Sequence, residues 1–266
     1  MSENLPLAGR VAIVTGGGRG LGRAMTLGLA RAGAAVVATA AREKSEVEGV
    51  AGAAGAAGAA GRILPILADV TKEDDCKRVV AAALDRFGRL DVLVNNAGRG
   101  MKYVSETFMT APTRFWETPP DAYRLVIDTN VVGPFLMARA AAPPMLAAGW
   151  GRIVNISMNA ETMRRRGFSP YGPSKAALEA ATIIWAQDLA GTGVTVNALL
   201  PGGATLTGMI PPSYPDDLRA KLLDPAIMVP PLLWLASPRS DGVTGRRFVA
   251  TQWRDDDPQA AAAAGW

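Results

Sequence analysis

Short, nearly continuous apolar blocks alternate along this chain with longer stretches of mixed polarity. Residues 10–15, 35–40, 63–68, 90–94, 152–157, 194–199 and 246–250 form the short blocks. Unbroken apolar runs of this length, rich in Val, Ile and Leu, suit strands covered on both faces. Between them, residues 72–87 carry the spacing of an amphipathic helix, and residues 20–32, 118–145, 170–190 and 225–236 are apolar-rich and helical in length. Gly33 and Gly88 stand where two of these stretches stop, as helix-terminating glycines do. Strand and helix in strict alternation predict an α/β fold: a doubly wound parallel sheet of about seven strands with helices on both faces. The sequence divides into a single domain over 1–253 and a tail over 254–266, acidic at first and then Ala-rich. The tail is open to two readings, disorder or a resting place on a neighbouring subunit.

Three stretches fit the alternation less well. Residues 51–61 repeat Gly-Ala-Ala, and each glycine costs a helix about 1 kcal/mol relative to alanine, so a weak, fraying helix is expected. Residues 99–118 form a long connection carrying Met101, Tyr103, Phe108, Met109, Phe115 and Trp116. Apolar residues in such a loop fit a lid or partner contact, and equally a loop packed on its own domain. The helix after Thr118 and Pro119 is expected to bend or break near Pro134 and at Pro143 and Pro144.

Composition narrows the chemistry. The chain has 266 residues, 49% of them hydrophobic, and a formal charge of +4. No basic stripe interleaved with aromatics suggests nucleic acid. Cys76 is the sole cysteine, so no internal disulfide forms, consistent with a reducing, cytoplasmic setting. No signal-peptide pattern opens the chain, and no apolar run is read as crossing a bilayer. Histidine is absent, so acid–base work falls to another group and no metal site is expected.

The first apolar block runs into Gly16, Gly17, Gly18, Arg19, Gly20, Leu21 and Gly22, then a helix and a second strand. In that context glycines let the backbone approach a pyrophosphate, and the helix start supplies amide donors and partial positive charge. NAD-binding chains place an acid about 20 residues past the glycines, on the ribose hydroxyls. Here the second strand ends Ala38, Thr39, Ala40, with Arg42 just beyond, and no carboxylate occurs before Glu43. Arg19 and Arg42 therefore favour a 2′-phosphate, and so NADP(H) over NAD(H).

Tyr171 and Lys175 lie four apart, on one face of a helix for which Ser169 reads as N-cap and Pro170 as first residue. A free tyrosine has a pKa of about 10. The ammonium of Lys175, the helix's positive end and any cationic ligand alongside are each expected to lower it.

These motifs together resemble the short-chain dehydrogenase/reductase family over residues 8–250. The resemblance rests on Thr15, Gly16, Gly20 and Gly22; Asp69 and Val70; Asn95, Asn96, Ala97 and Gly98; Asn130; Ser157; Tyr171 and Lys175; and Pro201 and Gly202. It implies a Rossmann-type fold and hydride transfer between a nicotinamide and a carbonyl or secondary alcohol. Tyr171 is then the general acid or base, and Lys175 lowers its pKa and bonds the nicotinamide ribose. Ser157 donates to the substrate oxygen, and Asn130 holds a water between Lys175 and solvent. Gly16, Arg19, Gly20, Leu21 and Gly22 wrap the pyrophosphate and adenosine end, with Thr39 and Arg42 beside them. Asp69 and Val70 flank the adenine, Asn96, Ala97 and Gly98 meet the adenosine-side ribose region, and Pro201, Gly202 and Thr205 lie near the nicotinamide amide.

The end of the second strand, with Arg19, is similar to NADPH-dependent 3-oxoacyl-thioester reductases. Residues 99–118 look long for those enzymes, and the span from Thr205 towards Pro225 looks short. Arg164, Arg165 and Arg166 read first as solvated charge and second as an attraction for an anionic substrate group. Residues 176–189 are apolar on nearly all sides, and the family buries this helix against its copy, so a homotetramer is expected, with a dimer second. Two other functions fit the fold: a non-catalytic NADP(H)-binding sensor, and a tyrosine-dependent dehydratase or epimerase.

Overall fold

A computed structural model describes residues 5–212 and 214–262. Seven parallel strands form one sheet in the order β3-β2-β1-β4-β5-β6-β7. They are β1 (Val11–Val14), β2 (Ala35–Ala40), β3 (Ile63–Leu67), β4 (Val92–Asn95), β5 (Gly151–Ile156), β6 (Val194–Leu200) and β7 (Arg247–Val249). The order reverses between β1 and β4, which opens the crevice where such sheets bind ligands. β1, β4, β5 and β6 are buried along their whole length, the polar Asn95, Arg152, Asn155, Thr195 and Asn197 included.

Helices cover both faces. On one side, α1 (Gly20–Arg31), α2 (Lys44–Ala54) and α9 (Val229–Leu235) enclose Met25, Leu29, Val47, Leu232 and Trp234. On the other, α3 (Glu73–Phe87), α5 (Gly133–Ala147) and α7 (Tyr171–Asp188) enclose Val79, Met137, Met145 and Ala186. Between these helices fall α4 (Pro120–Ile127) and the single-turn α6 (Ala160–Met163) and α8 (Asp216–Arg219). Gly88 closes α3 at φ 77°, a left-handed conformation that suits glycine. The Gly-Ala repeat behaves as its composition dictates: α2 ends at Ala54, and the following turn breaks at Gly58, φ 80°.

Four expectations change. Pro143 and Pro144 lie inside α5, which runs on to Ala147. They sit near its last turn, largely towards solvent, where water can take up the carbonyls they leave unpaired. Near Pro134 the helix does not break but passes from α4 to α5 through a π turn over Asp128–Val132. Pro134 has no N–H for the carbonyl of Asn130, four residues before it, and a π turn is a usual way to absorb such a gap. The resulting helix, Pro120–Ala147, has 28 residues and is apolar enough to cross a membrane by length and composition alone, contrary to the expectation that no such run exists. Its Val126, Met137, Ala141 and Met145 are instead buried in the protein. Finally, the described part of the tail returns to its own domain: Ala262 bridges Phe248, and Ala261 is fully buried. Residues 263–266 lie outside the described residues.

Candidate active site

The crevice is assembled from the ends of β1, β4 and β5. Thr15, at the end of β1, accepts from the backbone N–H groups of Asn96 and Ala97, each at 3.0 Å. The Asn96 side-chain amide donates to the carbonyls of Thr15 and Gly16, at 2.8 and 3.0 Å. Asn96 therefore shapes the glycine turn, with its amide committed to backbone. Thr39 acts likewise: its hydroxyl accepts from Gly16 N–H at 3.4 Å, and its carbonyl accepts from Gly17 N–H at 2.9 Å.

The glycines are needed for close approach. A Cβ on Gly22 would stand 2.0 Å from the carbonyl oxygen of Gly16, and one on Gly18 would stand 2.7 Å from Cβ of Glu46. No side chain caps α1, and Arg19 enters it in extended conformation, so its first-turn amides are open to an anion. This uncapped, glycine-lined start of α1 fits a dinucleotide pyrophosphate. The segment after β6 lies against the same turn: a Cβ on Gly20 would come within 3.1 Å of the Thr207 methyl, and one on Gly100 within 3.4 Å of Met209 Sδ. Gly202 takes φ 95°, and its carbonyl accepts from the Asn159 amide at 2.9 Å. Thr205 is buried, and its hydroxyl donates to the carbonyl of Gly203 at 3.3 Å.

The arginines of the adenosine end have partners. Arg19 pairs with Glu46 at 3.2 Å. Arg42 and Arg99 both lie over the ring of Tyr103, at 5.7 and 4.6 Å from its centroid. Glu46 is the carboxylate that sequence spacing missed, because α2 rather than the end of β2 carries it to the glycine turn. Asp69 closes a turn, accepting from Thr71 N–H and hydroxyl, while Val70 packs beneath Gly133.

At the other end, α7 begins at Tyr171, not earlier. Pro170 occupies the cap position, the bond from Ser169 is cis, and Ser169 makes no capping bond. Lys175 is buried, and its ammonium donates to the carbonyl of Ile156 at 2.7 Å, lying 5.9 Å from the Tyr171 ring centroid. A Cβ on Gly98 would be 3.8 Å from the same nitrogen, so the β4 end reaches Lys175. Asn130 braces this junction. Its amide donates to the Arg99 carbonyl at 3.0 Å and to Ser174 Oγ at 2.9 Å, and its oxygen accepts from Arg99 N–H at 2.8 Å.

Electrostatics runs against the expected lowering at Tyr171. Removal from water disfavours the phenolate and pushes the phenol up to about 12. The same burial pulls the Lys175 ammonium down to about 8, with the Glu179 carboxylate opposing.

Ser157 is not placed to meet a substrate oxygen beside Tyr171. Its hydroxyl donates to Glu179 Oε1 at 2.5 Å, inside the protein, where Arg247 Nε also donates to that oxygen at 2.8 Å. The reason is strand alternation. Asn155, two residues earlier, also turns to α7 and donates to Thr182 at 2.8 Å. Met158, on the next position, packs with Tyr171 against a cluster of Met101, Phe108 and Phe168. The side chain beside the phenol is thus an apolar thioether. Met101 and Phe108 come from the long connection, whose first half packs on its own domain, whereas Phe115 and Trp116 in its second half stay 72% and 64% exposed.

A sheet that reverses at β1 and β4, a glycine turn opening α1, and a Tyr-Lys pair on one helical face define a nucleotide-dependent oxidoreductase of the Rossmann type. The family model for short chain dehydrogenases matches residues 10–217, and the chain belongs to that family. A 3-oxoacyl-[acyl-carrier-protein] reductase from Synechocystis is 34% identical over 256 residues, covering 96% of this chain and 92% of the relative. A solved Beutenbergia cavernae structure, described as a candidate NAD(P)-dependent gluconate 5-dehydrogenase with NADP at low occupancy, superposes with a TM-score of 0.79 at 33% identity, covering 92% of this chain and 96% of that one. The 3-ketoacyl-(acyl-carrier-protein) reductase of Brucella melitensis, solved with NADH, gives 0.78 at 30% identity, with coverage of 90% and 95%. The protein is an enzyme of this oxidoreductase family, and its crevice is built for a nicotinamide dinucleotide.

Proposed function

We propose that the protein is an NADP(H)-dependent carbonyl reductase, working in reverse as a secondary-alcohol dehydrogenase. The observation that carries this reading is the phenol of Tyr171, whose ring lies 5.9 Å from the Lys175 ammonium and packs with Met101, Phe108, Met158 and Phe168. A proton donor with apolar neighbours suits a ketone with an apolar body. When bound, the nicotinamide supplies or accepts the hydride. In the reducing direction Tyr171 gives its proton to the carbonyl oxygen as the carbon gains hydride, which leaves an alcohol and a phenolate. A cation nearby favours that phenolate, and Lys175 is the cation within reach. Lys175 would also hold the nicotinamide ribose.

The first-turn amides from Gly20 to Gly22, with Gly16 behind them, would hold the pyrophosphate. Arg19, released from Glu46, would join Arg42 on the 2′-phosphate. Asp69 and Val70 would flank the adenine, and Ala97, Gly98, Pro201 and Gly202 would line the ribose and nicotinamide. Asn130 is assigned as a brace that keeps residues 98–99 against α7. Ser157 carries no part of the reaction.

The test is Tyr171→Phe. The variant should bind NADPH within about twofold of the parent and lose about 10²–10⁴ in ketone reduction, the usual worth of a positioned acid. Near-normal turnover would identify a different donor. Product formed without net cofactor oxidation would favour a dehydratase or epimerase. Tight NADPH binding with no turnover of any ketone or aldehyde by the parent would favour a sensor.

A further inference from the structure

We propose a second ligand site on this chain, a pocket for a small aromatic molecule carrying a carboxylate, walled by Arg164, Arg165, Arg166 and Arg114 and by the aromatic faces of Phe115 and Trp116. The cavity holds about 490 Å³, the scale of a small-molecule site. It lies outside the dinucleotide crevice, between the second half of the 99–118 connection and the turn that leads from α6 into α7.

Its charge is the first argument. Four arginines line one hollow, and among the described residues none of them forms an ion pair. Four positive charges around one hollow favour an anion, which can accept paired N–H donors from them. The neighbouring Glu117 accepts from the backbone N–H of Arg114 at 3.2 Å and forms no ion pair among the described residues, so one carboxylate stands against four arginines there. Glu161, on α6, is exposed and makes no ion pair among the described residues. α7, at 18 residues, points its amide end towards Ser169 and Pro173 on the pocket wall and adds partial positive charge.

The apolar half is the second argument. Phe115 and Trp116 pack edge to face with centroids 5.0 Å apart, yet remain mostly open to solvent. The floor is apolar, formed by buried Met163 and Phe168. Arg114 already stacks over Trp116 at 5.2 Å, and Arg165 over Phe168 at 5.6 Å. A planar ring entering here meets aromatic faces below and guanidinium planes at the rim. Phe168 also belongs to the packed cluster that includes Tyr171, so the pocket floor adjoins that cluster.

Calorimetry with naphthalene-2-carboxylate, against the neutral naphthalene-2-methanol, tests the site without requiring turnover, so a failure of the reductase reading leaves it intact. The parent should bind the carboxylate saturably and more tightly than the alcohol, with an affinity that falls as salt rises. The combined Arg164→Gln, Arg165→Gln, Arg166→Gln variant should weaken the carboxylate by about tenfold or more and leave the alcohol unchanged. Trp116→Ala should weaken both. All these side chains are exposed, and unchanged NADPH binding verifies that the variants fold. Equal binding of carboxylate and alcohol by the parent, or an unaltered affinity in the triple variant, overturns the proposal. If the carboxylate competes with a ketone substrate, the pocket takes the far end of the substrate; if it alters turnover without competing, it takes a separate ligand, and the site stands in both cases.

Discussion

Burial acts on Tyr171 and Lys175 in opposite senses, since it disfavours the charged form of each: the phenol rises to about 12 and the ammonium falls to about 8. If Lys175 works as a cation, ketone reduction should fall as pH rises through about 8, where its proton leaves; Lys175→Arg should move that fall to higher pH, and a pH–rate profile of both proteins reads the difference. The same shift has a stability sign. Between about 8 and the ordinary lysine value of 10.5 the unfolded chain holds the proton that the folded one has lost, so this group makes the fold more stable as pH rises through that window. Ser157 gives a second residue-scale test. Ser157→Ala removes a donor from the buried Glu179 and should cost about 1–3 kcal/mol in denaturant unfolding, while turnover per folded molecule stays near that of the parent. A large loss in kcat with unchanged stability would restore the hydroxyl to the reaction. The sequence could place Ser157 at a strand end but not choose its direction; alternation from the polar Asn155 was the one available signal.

At the scale of elements, the glycine turn shows how placement changes a motif's meaning. Arg19 was legible as a cation beside a phosphate, and Ala40 as a missing acid. The approach of α2, which sets Glu46 against Arg19, depends on how a helix packs across the sheet. Glu46→Gln should free Arg19 and tighten NADPH by a few-fold at most, since an exposed pair is worth roughly 0.2–1 kcal/mol, with NADH little changed. Arg19→Ala with Arg42→Ala should weaken NADPH far more than NADH. Equal effects on the two cofactors, in titrations of either variant, would remove the 2′-phosphate reading. The long connection divides in the same manner: its apolar residues are alike in sequence, but Met101 and Phe108 go inside and Phe115 and Trp116 stay out.

For the whole molecule, apolar surface remains on α7, on α5 and at the turn just before α5. Val132 and Phe135 at the start of α5, Leu146 near its end, and Ile184 on α7 are 38%, 47%, 42% and 55% exposed. Such surface on adjacent helices suits burial against a copy of the chain, which is the basis for expecting a homotetramer. Light scattering after size exclusion should give the tetramer mass, and Ile184→Asp should reduce it to a smaller species. A monomer at all working concentrations would contradict this.

The amino-acid sequence alone determined the order of strands and helices, the glycine turn with its uncapped helix, and the pairing of Tyr171 with Lys175, because period and spacing along one element carry that information. Only the tertiary structure decided that Ser157 serves Glu179 and Arg247, that Met158 stands beside the phenol, that Glu46 reaches Arg19, and that four arginines and two aromatics from distant segments share one pocket. Those outcomes depend on which face of a strand or helix meets which neighbour, and a one-dimensional pattern fixes the faces without naming what they meet.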